Sequence, residues 1–238
     1  MVRLDKVLSD AGLCSRSDAR KWIRAGRVTV NGNPVTKPEM KVNPETETVA
    51  VDGAPVSWAK ERYYMLHKPA GVITATEDQT QKTVLDLLPP GLRKGLSPAG
   101  RLDKDTTGLL LLSTDGSWIH RIITPEKHVP KVYLAETEGT PAEIHARQLA
   151  EGIVLADGTK CLPARLEILG EGRCRVTVYE GKYHLVRRML AACGTPVRAL
   201  HRVSIGGLAL DETLAPGDYR PLTFDEIDAI FLNKQSVM

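Results

Sequence analysis

Leu4, Val7, Leu8 and Ala11 recur at i, i+3, i+4 and i+7, which predicts a short helix with one apolar face, stopped by Gly12. Ser15, followed three residues later by Asp18, has the form of a capping box with Asp in the acidic place. It opens a second predicted helix that ends at Gly26. Val28-Thr-Val and Asn33-Pro-Val flank Asn31-Gly32, the pattern of a hairpin with a tight turn. From Arg62 onwards, short apolar runs alternate with turn residues. They predict strands over 63–66, 109–113, 131–137, 165–169, 173–179 and 197–203, and helices over 116–123, 142–149, 184–193 and 224–231. In the third of these helices Val186, Met189, Leu190 and Cys193 give the i, i+3, i+4, i+7 spacing, with Gly194 as its stop. The order is not a regular strand–helix alternation. It predicts an α+β fold with a mixed, largely antiparallel sheet flanked by helices.

Composition narrows the class. The chain has 238 residues, 42% hydrophobic and 26% charged, the balance of a globular protein with a real core. The longest uninterrupted apolar run is only Met189 to Cys193, far short of the ~20 residues a membrane helix needs. The opening Met1-Val-Arg-Leu-Asp-Lys has no apolar signal core, so a cytoplasmic protein without a membrane partner is expected. Cys14, Cys161, Cys174 and Cys193 form no Cys-x-x-Cys pair and read as reduced thiols. The six histidines show no ligand spacing, so no metal site is expected.

Net charge is only +3, but it is unevenly spread. Residues 1–43 hold nine Lys/Arg and four acids, a net of +5, and leave −2 on the rest. Placed on the second helix, Arg16, Arg20, Arg24 and Arg27 are spaced 4, 4 and 3 and fall within roughly 80° of one another. Read as a stripe without acidic partners, they repel one another slightly, and a polyanion would relieve that cost. The bland alternative is a solvated charged face. After residue 52 the texture changes, and Gly53 and Pro55 mark a short linker. The expected division is a basic domain over 1–52, a linker over 53–61 and a larger domain over 62–238.

Gly100-Arg-Leu-Asp-Lys-Asp-Thr-Thr-Gly is a polar loop running directly into a four-leucine strand. By itself, its pair Asp103 and Asp105 also fits a cation-binding loop or an Asx turn. It is no phosphate loop, because the chain contains no Gly-x-x-x-x-Gly-Lys-Ser/Thr string.

Arg3-Leu-Asp-Lys-Val-Leu, Ser15-Arg-Ser-Asp-Ala-Arg and Gly26-Arg-Val-Thr-Val-Asn-Gly together resemble an S4 RNA-binding domain over roughly residues 1–50. Four further motifs, in order, resemble the pseudouridine synthases: His67-Lys-Pro-Ala-Gly, Gly100-Arg-Leu-Asp-Lys-Asp-Thr-Thr-Gly-Leu-Leu, Lys131-Val-Tyr and Glu180-Gly-Lys-Tyr-His-Leu-Val-Arg-Arg-Met-Leu. With the S4 head, and with Leu200-His-Arg-Val-Ser-Ile-Gly-Gly in the tail, the chain is most similar to the branch that modifies small-subunit ribosomal RNA.

The resemblance implies conversion of one uridine to pseudouridine, most simply in 16S ribosomal RNA, by a monomer that uses no cofactor. Asp103 is implied to attack, or assist cleavage of, the glycosidic bond. Tyr133 is implied to stack on the target base, and Arg187 to pair with the aspartate and favour its charged form. Arg101 would fill the gap left by the flipped base. Lys68 and Lys131 complete the implied catalytic-domain contacts, Lys68 as a support of the loop, and Arg16, Arg20, Arg24 and Arg27 would dock RNA. Arg188, one helix step (~100°) from Arg187, is a poorer candidate. One departure stands out: Leu185 occupies a place where members usually carry Gln. A large-subunit 23S enzyme of the same family, an idle RNA-binding or assembly factor, and an unrelated carboxylate hydrolase are the competing readings. The intact set of Asp103, Tyr133 and Arg187 weighs against idleness. The lack of a second catalytic acid at a readable spacing weighs against the hydrolase.

Overall fold

A computed structural model of the chain describes residues 1–11, 13–43, 46–56 and 61–232, which divide into two units. The first comprises Met1–Arg62 with Leu88–Leu96, and the second Tyr63–Leu87 with Ser97 onwards. Gly12, the expected helix stop, and Ser57 to Lys60 of the expected linker lie outside the described residues.

The first unit runs β1 (Val2–Arg3), α1 (Leu4–Asp10), α2 (Arg16–Arg24), β2 (Val28–Val30), β3 (Asn33–Pro34), β4 (Lys41–Val42), β5 (Val49–Val51) and β6 (Ala54–Pro55). The apolar stripe of α1 is buried as its spacing requires: Leu4, Val7 and Leu8 pack with Ala19, Ile23 and Val28 in a closed core. At the start of α2, Ser15 Oγ accepts from the Asp18 amide at 3.1 Å. Its hydroxyl donates to Asp18 Oδ2 at 2.6 Å. Asn31 (φ 51°) and Gly32 (φ 80°) form the expected hairpin turn, both in the left-handed region that a type I′ turn demands. Asp52 (φ 49°) and Gly53 (φ 82°) repeat that turn between β5 and β6. The stretch expected to begin a linker therefore begins as a sheet strand, because Asp-Gly is a turn signal as strong as Asn-Gly. The four-stranded order is β3-β2-β5-β6. The segment Leu88–Leu96, with one-turn helix α3 (Pro90–Arg93), also belongs to this unit.

The second unit is built from β7 (Tyr63–Lys68), β8 (Ser97–Pro98), β9 (Thr107–Ser113), α4 (Gly116–Ile123), β10 (Lys131–Thr137), α5 (Glu143–Glu151), β11 (Arg165–Gly170) and β12 (Arg173–Val178). It continues with α6 (Leu185–Ala192), β13 (Val197–Ile205), β14 (Leu208–Ala209), β15 (Tyr219–Pro221) and α7 (Phe224–Ala229). The main path of its sheet is β11-β12-β10-β13-β9-β7-β15, with β14 on β13 and β8 on β9. Among the described strands of this sheet β13 and β9 pair in parallel and the other pairings are antiparallel, in keeping with the α+β expectation. Interior strand β9 explains the leucine run: Leu109 to Leu112 are all fully buried, because both faces of the strand are covered. The expected elements appear within a few residues of their predicted bounds. The two- and three-residue strands β8, β14 and β15 were not legible, being too short to show a period.

At Gly108 (φ +105°) a Cβ would lie 2.3 Å from the carbonyl oxygen of Arg202. Only glycine lets β9 and β13 approach this closely, just after the Asp103 loop.

Candidate functional site

The loop 100–106 is pinned at several points. Thr74 Oγ1 donates to the Leu102 carbonyl at 2.7 Å, and the Leu102 amide donates back at 3.1 Å. The Gly71 amide and Lys68 Nζ both reach the Lys104 carbonyl, at 2.8 and 3.2 Å. Lys68 Nζ also donates to Thr106 and Pro69 carbonyls, at 2.9 and 3.0 Å. Lys68, expected among the substrate contacts, is fully buried and spends all three N–H groups on backbone carbonyls. It braces the loop, the supporting role its motif implied, and is neither a surface lysine nor placed to touch substrate. Burial lowers its pKa to about 8, against the pull of Asp105 and Asp103.

This bracing presents Asp103 about a quarter exposed, with two nitrogen-bearing partners, Arg187 and His184, from the start of α6. Arg187 Nε lies 3.5 Å from Asp103 Oδ2, and its Nη2 lies 2.9 Å from Asp105 Oδ2. Arg187 therefore spans both acids of the loop. Neither contact is aligned as a hydrogen bond, so Nε and Nη2 remain buried donors without an acceptor. His184 Nε2 stands 3.4 Å from Asp103 Oδ1. Its backbone is left-handed (φ 49°), and its ring stacks on Tyr183 with centroids 3.7 Å apart. Sequence reasoning passed over His184, although its i, i+3 spacing to Arg187 on one helical face was a usable signal. Arg188 turns away to Asp157. Leu185 is buried at the first turn of α6, so the place of the usual amide is filled by packing.

Beside the loop opens a cavity of about 610 Å³ whose wall includes Gly100, Arg101, Lys131, Tyr133, Glu180 and Arg202. It gathers three expected residues, Arg101, Lys131 and Tyr133. Arg101 is exposed, while Tyr133 is only 9% exposed. Lys131 is buried, donates to the Ile122 carbonyl at 2.8 Å, and has its pKa lowered to about 8 by burial and then by Arg202. Arg202 was not anticipated. Its Nη1 donates to the Tyr133 hydroxyl at 3.2 Å, and its Nε donates to the Leu109 carbonyl at 2.7 Å.

In the first unit the arginine stripe needs correction. Arg27 lies beyond the end of α2 and pairs with Asp52. Asp5, fully buried on α1, accepts from Arg3 (2.9 Å) and Arg20 (3.0 Å) and lies 3.5 Å from Arg16. The acidic partners were invisible in the sequence because they come from α1 and from the β5–β6 turn, not from α2. Hydrogen bonds from Arg3, and then from Arg20 and Arg16, hold the Asp5 carboxyl far below the usual carboxylate range despite its burial. Arg24 is exposed and, among the described residues, has no carboxylate partner.

Among the described residues no helix is long and apolar enough to cross a membrane. No group of three or more His, Cys, Asp or Glu among them is placed to hold a metal ion.

Comparison with known proteins gives a consistent result. Residues 62–192 match the family model described as RNA pseudouridylate synthase, and residues 2–47 match the S4 domain. Over 233 residues the chain is 45% identical to the ribosomal small subunit pseudouridine synthase A of Escherichia coli (strain K12), covering 96% of this chain and all of that protein. It is 42% identical over 231 residues to an uncharacterized RNA pseudouridine synthase of Bacillus subtilis (strain 168), covering 95% and 97%. A solved crystal structure of a pseudouridylate synthase matches with a TM-score of 0.69 and 39% identity, over 97% of this chain and 100% of that one.

Proposed function

The chain belongs to the RNA pseudouridylate synthase family, with an S4 domain at its head, and on that premise we propose that it converts one uridine of small-subunit 16S ribosomal RNA to pseudouridine, using Asp103 and no cofactor. The carrying observation is the placement of Asp103. It is a partly exposed carboxylate on a braced loop, held between Arg187 and His184, beside a cavity whose wall includes Tyr133. The small-subunit target is favoured over the large-subunit one by relatives of 40–45% identity named for the small subunit.

The chemistry is an isomerisation and balances internally. Asp103 attacks, or electrostatically assists departure from, the ribose carbon, and the C1′–N1 pair leaves with the uracil. The ring turns, C5 bonds to C1′ (expelling the Asp103 carboxylate again where it had attacked), the C5 proton is lost, and N1 gains a proton. The uridine must be out of its stack for this to happen, so Arg101 at the cavity mouth fills the vacated space while Tyr133 carries the base. Arg187, 3.5 Å from the carboxylate, holds it correctly turned. The S4 unit supplies affinity through phosphate contacts, with Arg24 the arginine of the stripe that no acid among the described residues holds. The bacterial cytoplasm, where ribosomal RNA is made, is the compartment this reaction requires.

The test is to map pseudouridines in ribosomal RNA from cells with and without the gene, and then to treat that RNA with purified protein. Loss of one small-subunit position, restored by the purified protein, is the expected result. An unchanged map would overturn the assignment, and a lost large-subunit position would move the target.

A further inference from the structure

Arg202 is a buried cation without a counter-ion. It is 3% exposed, and among the described residues no carboxylate pairs with it. Nε and Nη1 are committed to the Leu109 carbonyl and the Tyr133 hydroxyl, but Nη2 is buried with no hydrogen-bond partner. Glu180, the acid in the cavity wall, is already taken by Lys182 at 2.7 Å and the Leu162 amide at 2.7 Å. Lys131 stands in the same wall with a donor on the Ile122 carbonyl. A buried charge and an unmade hydrogen bond persist at a cost unless something that arrives later satisfies both. The register that creates this arrangement is itself irregular. Lys131 and Val132 pair with Ile205 and Ser204, but Tyr133 pairs with Arg202, so Val203 is bulged out. Without that slip Tyr133 would oppose Val203, and Arg202 would belong to the other face of the sheet.

Resting on the isomerase reading above, we propose that Arg202 is a further catalytic residue: its free Nη2 donates to a carbonyl oxygen of the target uracil and holds the negative charge that the ring carries once its glycosidic bond is broken. A guanidinium with one nitrogen free suits a single carbonyl oxygen. It does not suit a phosphate, which is best met by two parallel donors. Arg202 shares a hydrogen bond with the residue that carries the base, so stacking on Tyr133 brings the ring edge to this wall. The C1′–N1 electron pair leaves with the ring and spreads from N1 onto the carbonyl oxygens. Arg202 transfers no proton, and its hydrogen bond strengthens as that charge grows, which is what accelerates a step. The neighbouring cations add to the field. Lys131 is held to a pKa of about 8 by burial and by Arg202 itself, as expected where positive charge exceeds negative.

The test uses the full chain and an RNA fragment carrying the mapped target as uridine or as 5-fluorouridine. Fluorine withdraws charge from the ring and so lessens the demand for a stabilising donor. In single-turnover reactions, Arg202→Gln should lose about 10²–10³-fold on uridine but no more than about tenfold on 5-fluorouridine, read as consumption of the target nucleoside by mass spectrometry. RNA affinity should stay within about threefold, and Arg202→Lys should regain part of the uridine rate. Arg202→Lys also gives the same substrate ratio if the Gln variant does not fold. Equal loss on both nucleosides would make Arg202 a brace for Tyr133 and overturn the proposal. A loss of affinity matching the loss of rate would make it a phosphate contact and overturn it equally. A wild-type protein that isomerises neither nucleoside would overturn the isomerase reading and the proposal together, a result distinct from both.

Discussion

In the first unit Arg3, Arg16 and Arg20 converge on the buried carboxylate of Asp5, and Arg27 closes on Asp52, while all four arginine side chains stay 41–47% exposed. In the second unit Arg202 is buried with no acid paired to it among the described residues, and Arg187 is shared between two acids without an aligned hydrogen bond to either. One residue type thus does two kinds of work. Of these pairs only Arg27–Asp52 is exposed on both sides and so worth no more than about 1 kcal/mol, whereas the three arginines on Asp5 share a buried acid while their own side chains stay open to water. Inside the site, under-satisfied arginines hold interactions in reserve for a substrate, where a low local dielectric makes each one count.

The sharpest break falls on the second unit. Asp103→Asn keeps shape and hydrogen bonding but removes the charge, so it should fold, bind RNA and lose at least about 10³-fold in isomerisation rate. Asp105→Asn frees Arg187 from a largely exposed anchor and should cost no more than about tenfold. Single-turnover assays on both variants decide it, and product formation by Asp103→Asn at the wild-type rate would remove Asp103 from the chemistry.

Next in size is Arg187→Met, which leaves Asp103 facing only His184. A loss of about 3–4 kcal/mol in transition-state stabilisation, roughly 10²–10³-fold in rate, is expected with little change in RNA affinity. Arg187→Lys should restore part of it as a point charge. If affinity fell as far as rate, Arg187 would be an ordinary phosphate contact, no different in kind from the head arginines.

Asp5→Asn tests the other side of the contrast. Three arginines lose a buried carboxylate, so thermal or denaturant unfolding should show the first unit destabilised by about 2–3 kcal/mol. The carboxyl is depressed in the folded state, so its stabilisation is fully present above the ordinary carboxylate range and fades as pH falls through and below it. Wild type and variant should therefore converge in strong acid; a gap that does not close would mean that packing, not charge, is what Asp5 supplies.

The buried lysines make a smaller, opposite-signed prediction. Lys68 and Lys131 have pKa values lowered to about 8. Their charged forms are penalised in the fold, a penalty fully present below pH 8 and relieved as pH rises from about 8 towards the ordinary lysine value. The neutral Lys68 amine has one donor fewer for the three carbonyls it braces. A pH series should thus show isomerisation declining above about pH 8 while these two groups' contribution to stability improves, and Lys131→Met should lose its share of that pH dependence. Activity that held level to pH 10 would mean that the loop keeps its shape without the third hydrogen bond.

The smallest effect concerns Arg24, the unpaired member of the stripe. Arg24→Gln should shrink the slope of log affinity against log salt by about 0.7–0.9, with the rate at saturating RNA unchanged. Changing Arg16 and Arg20 to Gln as well should bring the total to about two units if RNA recruits them from Asp5. A total near one would mean that Asp5 retains them.

Much of this protein is written in local pattern. The α1 stripe, the Ser15 cap, the Asn31-Gly32 turn, the buried leucines of β9 and the apolar spacing of α6 each depend on residues a few positions apart, so the sequence alone determined them. The motif residues Asp103, Tyr133 and Arg187 were legible for a different reason: each stands in a contiguous run that resembles a family motif. What the tertiary structure decided is pairing at a distance. That Asp5 holds Arg16 and Arg20, that Lys68 is sealed beneath the loop, and that His184 reaches Asp103 all follow from elements meeting in space. Arg202 is the clearest case. Alternation along β10 and β13 would set it on the face away from Tyr133, and one bulged residue, Val203, puts the two side by side. A strand's period is two, so a slip of one residue reverses which side chains share a face, and no local pattern records a slip that depends on the neighbouring strand.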